Sequence, residues 1–562
     1  MRRSKRQPTI DPDEVLIDAF NLPEFDTDQF EGRVMTPISH LAAISVGIFF
    51  TLIIFAFAYR AWDLQVNRGS SFAALSENNR LEQSILFADR GVIYDRSMEE
   101  LAWNVDDESA FTKRKYSNRD GLAHLIGFVG YPQKDSSGHW WREEYLGKSG
   151  VEQSLNDLLD GENGLELKEV SALNNVESES MVRSPVQGKN IILSINADMQ
   201  EAAYKALKET AAYAGYVGGA MVVVDVKTGE IITLTSYPEF SSEVMSEGSD
   251  KVKINKYTNS KQKPFLNRAI SAVYAPGSIV KPYVAAAALA EGLISQWKQI
   301  LSTGVLTVPN PYHPDKPSRF LDWKAHGLVD VRQAIAVSSN IYFYAVGGGL
   351  AHNIGLGAQK GLGIDRLAAY AARFGFGEQT GIQLWGEVEG NVPNKRWKWE
   401  TFGEEWLLGN TYHSSIGQYG WLVTPIQAAM YTAAIANGGT LLSPHILKDA
   451  KPDGASVGID DKYLQIVREG MRIGVMEGTL SALNYNDMKI AAKTGTAQVG
   501  RNNEFQNSWV IGFWPSNNPE FAFAIVLERA SSSTNYGAVN SSITFFNWLR
   551  ENTVSSTIMR NE

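Results

Sequence analysis

The sequence predicts an α+β protein held to a membrane by one amino-terminal helix, and three observations carry that reading. Residues 34–59 are a run of 26 positions without Asp, Glu, Lys or Arg. AMVVVDVKTGEIITLTS, from Ala220, reads as two apolar strands around a Lys-Thr-Gly turn, a β-hairpin. Met199–Thr210 and the segment IVKPYVAAAALAEG read as helices. At ~150 residues per domain, a chain of 562 residues has room for three or four domains. Apolar residues at 44% and charged residues at 20% exclude a disordered or fibrous chain. The net charge, 52 − 62 = −10, gives nucleic acid no special claim as a partner. With no cysteine, disulfide frameworks, thiolate zinc sites and cysteine nucleophiles are all excluded.

Taken in order, residues 1–33 carry eight acidic groups and predict a flexible tail. The uncharged run at 34–59 exceeds the ~20 residues that cross ~30 Å of hydrocarbon. It is too long, and too far from the start, for a secretory signal, so it predicts a single-pass transmembrane helix. Arg33 lies close before it and Arg60, Arg68 and Arg80 follow, which leaves its orientation open on charge alone. Residues 60–190 hold strand-like pieces (GVIY, LIGFVG) among polar turns, with no nucleophile in a recognisable setting. NIILSI, from Asn190, reads as a strand that opens the last region, 191–555. Residues 241–265, polar and rich in Ser and Lys, read as a surface loop.

Catalytic patterns are common enough that context must select among them. Gly454-Ala-Ser456-Val-Gly458 fits a hydrolase nucleophile elbow but sits in the polar KPDGASVGIDD. Gly147-Lys148-Ser149 lacks the first glycine of a phosphate loop, since position 142 is Arg. Ser-x-x-Lys occurs at Ser260/Lys263, Ser278/Lys281 and Ser295/Lys298. Ser278 alone follows a Pro-Gly turn and opens an apolar run, the setting of a helix start. Ser and Lys three apart share a helical face, and the helix amino terminus adds unpaired N–H groups and positive potential, as Ser–Lys nucleophilic chemistry requires. Ser338-Ser339-Asn340 joins two apolar periodic segments, where a hydroxyl and a carboxamide either cap a helix or point into a cleft. Lys493-Thr494-Gly495-Thr496 follows the apolar IAA and reads as a strand whose glycine admits a close neighbour. Lys227-Thr-Gly229, between Asp225 and Glu230, is turn chemistry.

Ser-x-x-Lys, Ser-x-Asn and Lys-Thr-Gly in this order resemble the motif set of penicillin-binding proteins and β-lactamases. NRAISAVYAPGSIVKPYVAAAALAEG, from Asn267, is similar to that family's nucleophile segment almost throughout. RGVIYDRSMEELAWN (from Arg90) and GKSGVEQSLNDLLDGENG (from Gly147) resemble the amino-terminal region of the monofunctional class B type. One departure is the turn at Ser97–Glu100, where relatives carry Asn-Gly. TGIQLWGEVEGNVP (from Thr380) and SSIGQ (from Ser414) are similar to the elongation-type branch more than to the division type.

The resemblance implies a penicillin-binding, β-lactamase-like transpeptidase domain over 191–555, a mainly antiparallel sheet with helices on both sides. It would follow a pedestal or dimerisation domain at 60–190. It implies that Ser278 attacks the penultimate D-Ala of a stem peptide, with neutral Lys281 as base and Lys493 as the like charge that helps neutralise it. Backbone N–H groups of Ser278 and Thr496 would hold the oxyanion. Ser338 would shuttle the proton, Asn340 would hold Lys281 and substrate, and Lys493, Thr494, Gly495 and Thr496 would bind the terminal carboxylate. It implies no cofactor; the zinc site of some elongation-type relatives is not carried over to a chain without cysteine. Partners implied are peptidoglycan stem peptides ending in D-Ala-D-Ala, β-lactams, a SEDS-family glycan polymerase and rod-complex proteins. The rival readings are a β-lactamase or carboxypeptidase, in which Glu387 and Asn391 would echo a deacylating loop, and a non-catalytic penicillin sensor.

Overall fold

The computed structural model describes residues 39–78, 81–170, 176–310, 315–350 and 360–560, so the predicted acidic tail lies outside the described residues. The chain divides into two compact units, Met1–Gln83 with Leu167–Ser180, and Ser84–Glu166 with Met181–Glu562.

The first unit contains helix α1, His40–Trp62, capped by Ser39, whose side chain accepts the Ala42 N–H at 3.1 Å. None of the 23 residues of α1 is buried. Apolar residues face outward on every side, which is stable only where the surrounding solvent is itself apolar. At 1.5 Å per residue α1 is roughly 35 Å long, enough to cross a bilayer core. Among the described residues it is the one helix, with its short continuation to Asn67, long and apolar enough to do so.

The second unit begins with a small sheet of β1 (Ile93–Tyr94), β2 (Glu100–Val105), β3 (Lys113–Tyr116) and β4 (Ile191–Ile192), in the order β4-β1-β2-β3. A buried ion cluster fixes it. Glu152 accepts Arg90 Nε at 2.6 Å and Arg114 Nε at 2.8 Å, with all three side chains fully buried. Thus the RG and Gly-x-Glu segments, 62 residues apart, meet in one salt bridge. LIGFVG is not one strand: Gly127, at φ +80°, ends a helical turn at Ala123–Ile126, and only Val129–Gly130 is extended.

The larger part runs through α2 (Ala197–Ala214), β5 (Gly218–Asp225), β6 (Ile231–Tyr237), α3 (Lys281–Ala290), α4 (Val331–Ala336), α5 (Asn340–Gly348), α6 (Pro425–Ala436), α7 (Asp461–Met476), β7 (Ala491–Val499), β8 (Phe505–Trp514), β9 (Phe521–Ser531) and α8 (Ala538–Arg560). The five strands form one sheet, β6-β5-β9-β8-β7, antiparallel throughout. Side chains alternate between two cores, as a pleat requires. Ala522, Ala524 and Val526 of β9 join the core shared with α3 and α6, while Phe523, Ile525 and Leu527 join the core shared with α2 and α8. Both faces are therefore covered by helices, the architecture expected, and β9 reads as an unbroken apolar run because both faces are buried. α3 is buried along nearly its whole length, which its four consecutive alanines permit.

Residues 241–265 depart from the expected loop. They contain helices Ser242–Glu247 and Lys251–Thr258, each started by a capping side chain. Ser241 Oγ accepts the Val244 N–H and Asp250 Oδ1 the Lys253 N–H, so the polar residues that suggested a loop are helix caps.

Candidate active site

Ser278 lies in a single 3₁₀ turn, Gly277–Val280, that feeds α3, so the nucleophile candidate sits just before the helix and not on its first turn. Four contacts hold this turn. Gly277, at φ +56°, donates its N–H to the Gly417 carbonyl at 3.0 Å. Trp509 Nε1 donates to the Ala275 carbonyl at 3.0 Å, and the Tyr431 hydroxyl to the Ile279 carbonyl at 3.0 Å. The fourth is close packing against β7: a Cβ on Gly495 would stand 2.7 Å from the Pro276 carbonyl oxygen and 2.8 Å from Ile279 Cγ2. The glycine in the strand thus admits the neighbour its sequence position implied, which is the backbone bearing Ser278. A Cβ on Gly277 would in turn meet the Thr496 backbone, so that strand edge runs beside the turn.

Lys281, Ser338, Asn340 and Lys493 converge on one point. Lys281 Nζ is 2.7 Å from the Ser338 carbonyl, 2.7 Å from Asn340 Oδ1 and 3.2 Å from Ser338 Oγ. Lys493 Nζ is 2.8 Å from the same Ser338 Oγ and 2.9 Å from the Thr494 carbonyl. Ser338, at φ +58°, holds the left-handed backbone that L-residues avoid at a cost of roughly 1–2 kcal/mol. That conformation turns its hydroxyl between the two amines at the junction of α4 and α5. Ser339 supplies the expected cap, its Oγ accepting the Tyr342 N–H, so capping and the cleft are served by adjacent serines. Asn340 Nδ2 donates to the Leu321 carbonyl at 3.1 Å, which leaves Oδ1 to accept from Lys281.

Both lysines are buried. Burial first of all lowers Lys281 to about 7, while the Asp322 carboxylate pulls the other way. Burial also holds Lys493 well below the usual lysine range, and repulsion from Lys281 adds to it. The sequence reading asked for desolvation together with the positive charge of Lys493; in the structure burial is the first cause for both amines, and the repulsion between them comes after it. A neutral Lys281 has two N–H groups and a lone pair. Its two carbonyl-type acceptors use the N–H groups, and the lone pair is left for a hydroxyl proton.

A cleft of about 740 Å³ opens over this cluster, lined by Ser278, Ser338, Asn340, Thr494 and Thr496 from the motifs. Phe320, Trp323 and Thr479 are among its other walls and no sequence pattern marked them, while Gln418 comes from the SSIGQ segment. Asp322 was missed as well; only its place in RFLDWK, with no motif around it, precedes the structure. The decoys stay apart. Ser295 is exposed and Ser260 is half-buried outside the cleft lining, Ser456 lies on an exposed three-residue strand, and Gly229 at φ +82° completes a turn whose N–H groups bond Asp225. Glu387 is bound to the backbone and hydroxyl of Thr380 and to the Gly381 N–H, and Asn391 to the Gly420 carbonyl, so neither offers a deacylating base to the cleft. Among the described residues no group of three His, Cys, Asp or Glu side chains could hold a metal ion.

Residues 219–547 match the model of the penicillin binding protein transpeptidase domain, and residues 107–193 that of the penicillin-binding protein dimerisation domain. The peptidoglycan D,D-transpeptidase MrdA of Acinetobacter baumannii is 33% identical over 448 residues, 74% of this chain and 63% of that protein. The chain therefore spans somewhat less than two thirds of that relative. Penicillin-binding protein 2 of Pseudomonas aeruginosa, solved with WCK 5153, is 29% identical with a TM-score of 0.68, covering 83% of this chain and 96% of that one. Penicillin-binding protein 2 of Helicobacter pylori, solved in complex with MreC, is 26% identical with a TM-score of 0.69, covering 84% and 99%.

Proposed function

Because the chain belongs to the class B penicillin-binding proteins of the MrdA, or penicillin-binding protein 2, type, which are serine peptidoglycan D,D-transpeptidases, we propose that its cleft cross-links stem peptides through an acyl-enzyme on Ser278. The observation that carries this reading is the convergence of two lysines and a carboxamide on Ser338, beneath a cleft that Ser278 lines. Ser278 Oγ attacks the carbonyl of the penultimate D-Ala, and its proton passes to the Lys281 lone pair. A base so placed contributes ~10²–10⁴-fold. The N–H groups of Ser278 and Thr496 take the oxyanion, each such donor worth ~10²–10³-fold. As the C–N bond breaks, the proton returns through Ser338 to the departing D-Ala amine. Lys493, Thr494 and Thr496, with the backbone at Gly495, hold the terminal carboxylate. An amine from a second stem peptide then attacks the ester, releases Ser278 and leaves the cross-link.

The test is product analysis with a stem pentapeptide donor and an acceptor amine. Cross-linked dimer should appear in step with released D-Ala. Release of D-Ala without dimer would make the protein a carboxypeptidase instead.

We assign α1 as a single-pass anchor in the cytoplasmic membrane, with the tail at 1–33 cytoplasmic and the regions at 60–190 and 191–555 outside it as pedestal and transpeptidase domains. The role is side-wall growth and cell shape, alongside a SEDS-family glycan polymerase and rod-complex proteins. In support, a relative of 26% identity was solved bound to MreC.

A further inference from the structure

One buried carboxylate beside the site belongs to none of the three motifs. Asp322 follows the short strand Ser318–Leu321, and its side chain is fully buried. Its Oδ2 accepts from Ser339 Oγ at 2.8 Å, Ser302 Oγ at 3.0 Å and the Ile341 N–H at 3.1 Å; its Oδ1 accepts from the Trp323 N–H at 2.9 Å. Ser339 and Ile341 flank Asn340 at the amino terminus of α5. The residue before Asp322, Leu321, takes the Asn340 Nδ2 proton on its carbonyl. Residues 321–322 therefore grip Asn340 by its backbone neighbours and by its side chain at once, and the free end of that carboxamide meets Lys281.

A neutral acceptor would cap α5 adequately. Burying an ionised carboxylate is costly unless hydrogen bonds and a nearby charge repay it; here the α5 backbone and Ser339 hold Asp322 low first, and Lys281 adds to them. The cation that faces it is Lys281, fully buried and short of negative partners. We propose that Asp322 is a positioning residue for acylation: it fixes the Asn340 carboxamide against Lys281 and supplies the negative charge that offsets a proton held on that buried amine. This rests on the reading of Ser278 and Lys281 as nucleophile and base.

The other titratable groups around the pair do not mimic this role. Lys493 approaches from β7 and, when protonated, repels a protonated Lys281 instead of offsetting it. His326 Nε2 lies 3.7 Å from Asp322 Oδ1, and burial lowers its basicity, so it is neutral near pH 7. The Tyr344 phenol from α5 is pushed up by burial and stays protonated. Lys324, beside the same turn, acts on His326 and lies over the Trp323 ring.

The sign of the effect follows. Acylation needs Lys281 neutral, so its rate rises with pH through the Lys281 titration, near 7. Asp322 raises that midpoint; removing its charge lowers it and leaves a weaker base. The experiment measures fluorescent-penicillin acylation against pH with the full chain in detergent. Asp322→Asn should move the rising limb to lower pH by about half a unit or more, with a plateau reduced ~10-fold. Asp322→Glu keeps the charge and should hold the limb in place while the plateau falls. An Asp322→Asn limb that stays put, or moves to higher pH, overturns the proposal and leaves Asp322 a structural cap. If Asp322→Asn does not fold, Ser302→Ala decides. It loosens the carboxylate while keeping its charge, so the limb should hold and the plateau fall several-fold; an unchanged plateau overturns the positioning role. Failure of the unmodified protein to acylate at all would instead overturn the function on which the inference rests.

Discussion

At the scale of single residues, the proposed chemistry depends on one buried amine. Lys281 titrates near 7 because burial penalises its charged form. Below that pH the amine carries a proton and cannot accept another, so acylation should rise from acid pH to a plateau above neutrality, with a midpoint near 7. Stopped-flow acylation across pH checks this. Lys281→Ala should lose ~10²–10⁴-fold at the plateau, while reversible binding of a stem-peptide carboxylate survives. Lys493→Ala should do the opposite, raising KM for the carboxylate-bearing peptide while the midpoint of acylation remains near 7. A midpoint displaced to higher pH in that variant would restore repulsion from Lys493 as the cause. Ser278, Lys281, Ser338, Asn340 and Lys493 were all legible because each motif has a fixed short spacing. Desolvation was expected in the Lys281 shift, but that it would come first was not legible, since burial is a property of the whole fold around it. Asp322 was invisible for a related reason: it belongs to no motif, and its partners, Ser302, Ser339 and Ile341, are 17 to 20 residues away.

At the scale of elements, the site is where a turn and a strand press together. Gly495→Ala would put a Cβ 2.7 Å from the Pro276 carbonyl oxygen, and backbone cannot swing aside as a side chain does. The variant should fold, because only one strand edge is displaced, but acylation should fall at least ~10-fold, since small misplacements near the chemistry cost that much or more. Rate constants from penicillin labelling decide it; a wild-type rate would mean that β7 relaxes freely. The turn at Ser97–Glu99 offers an opposite case. Met98 sits at φ +71°, exposed, where Asp95 gathers the N–H groups of Ser97 and Glu99. The departure from Asn-Gly therefore carries backbone strain that glycine would release. Met98→Gly should leave labelling unchanged and stabilise by up to about 1 kcal/mol, read as a higher Tm. The β5–β6 hairpin was legible from two apolar runs around turn residues, and β7 from the apolar run before Lys493. The helices at Ser242–Glu247 and Lys251–Thr258 were not, because short polar helices lack an apolar face and show only their caps.

At the scale of the molecule, the chain separates anchoring from chemistry. All residues lining the cleft come from the second unit, and α1 supplies none of them. Removing residues 1–62 should give a protein that leaves the membrane fraction and still labels with penicillin. Truncated protein that stays in the membrane fraction at high salt would contradict a single span. The antiparallel sheet with helices on both faces came from the resemblance and not from the pattern, because strands buried on both faces, such as β9, lose the alternation that would assign them. Its strand order could not be read at all: β9, near the carboxyl end, lies between β5 and β8, a pairing set by long-range packing. The account stands most directly on the identity of the acylated residue. Labelling the full chain with a fluorescent penicillin, followed by proteolysis and mass spectrometry, should place the adduct on Ser278, and Ser278→Ala should take up no label; an adduct on another serine, or full labelling of Ser278→Ala, would contradict it.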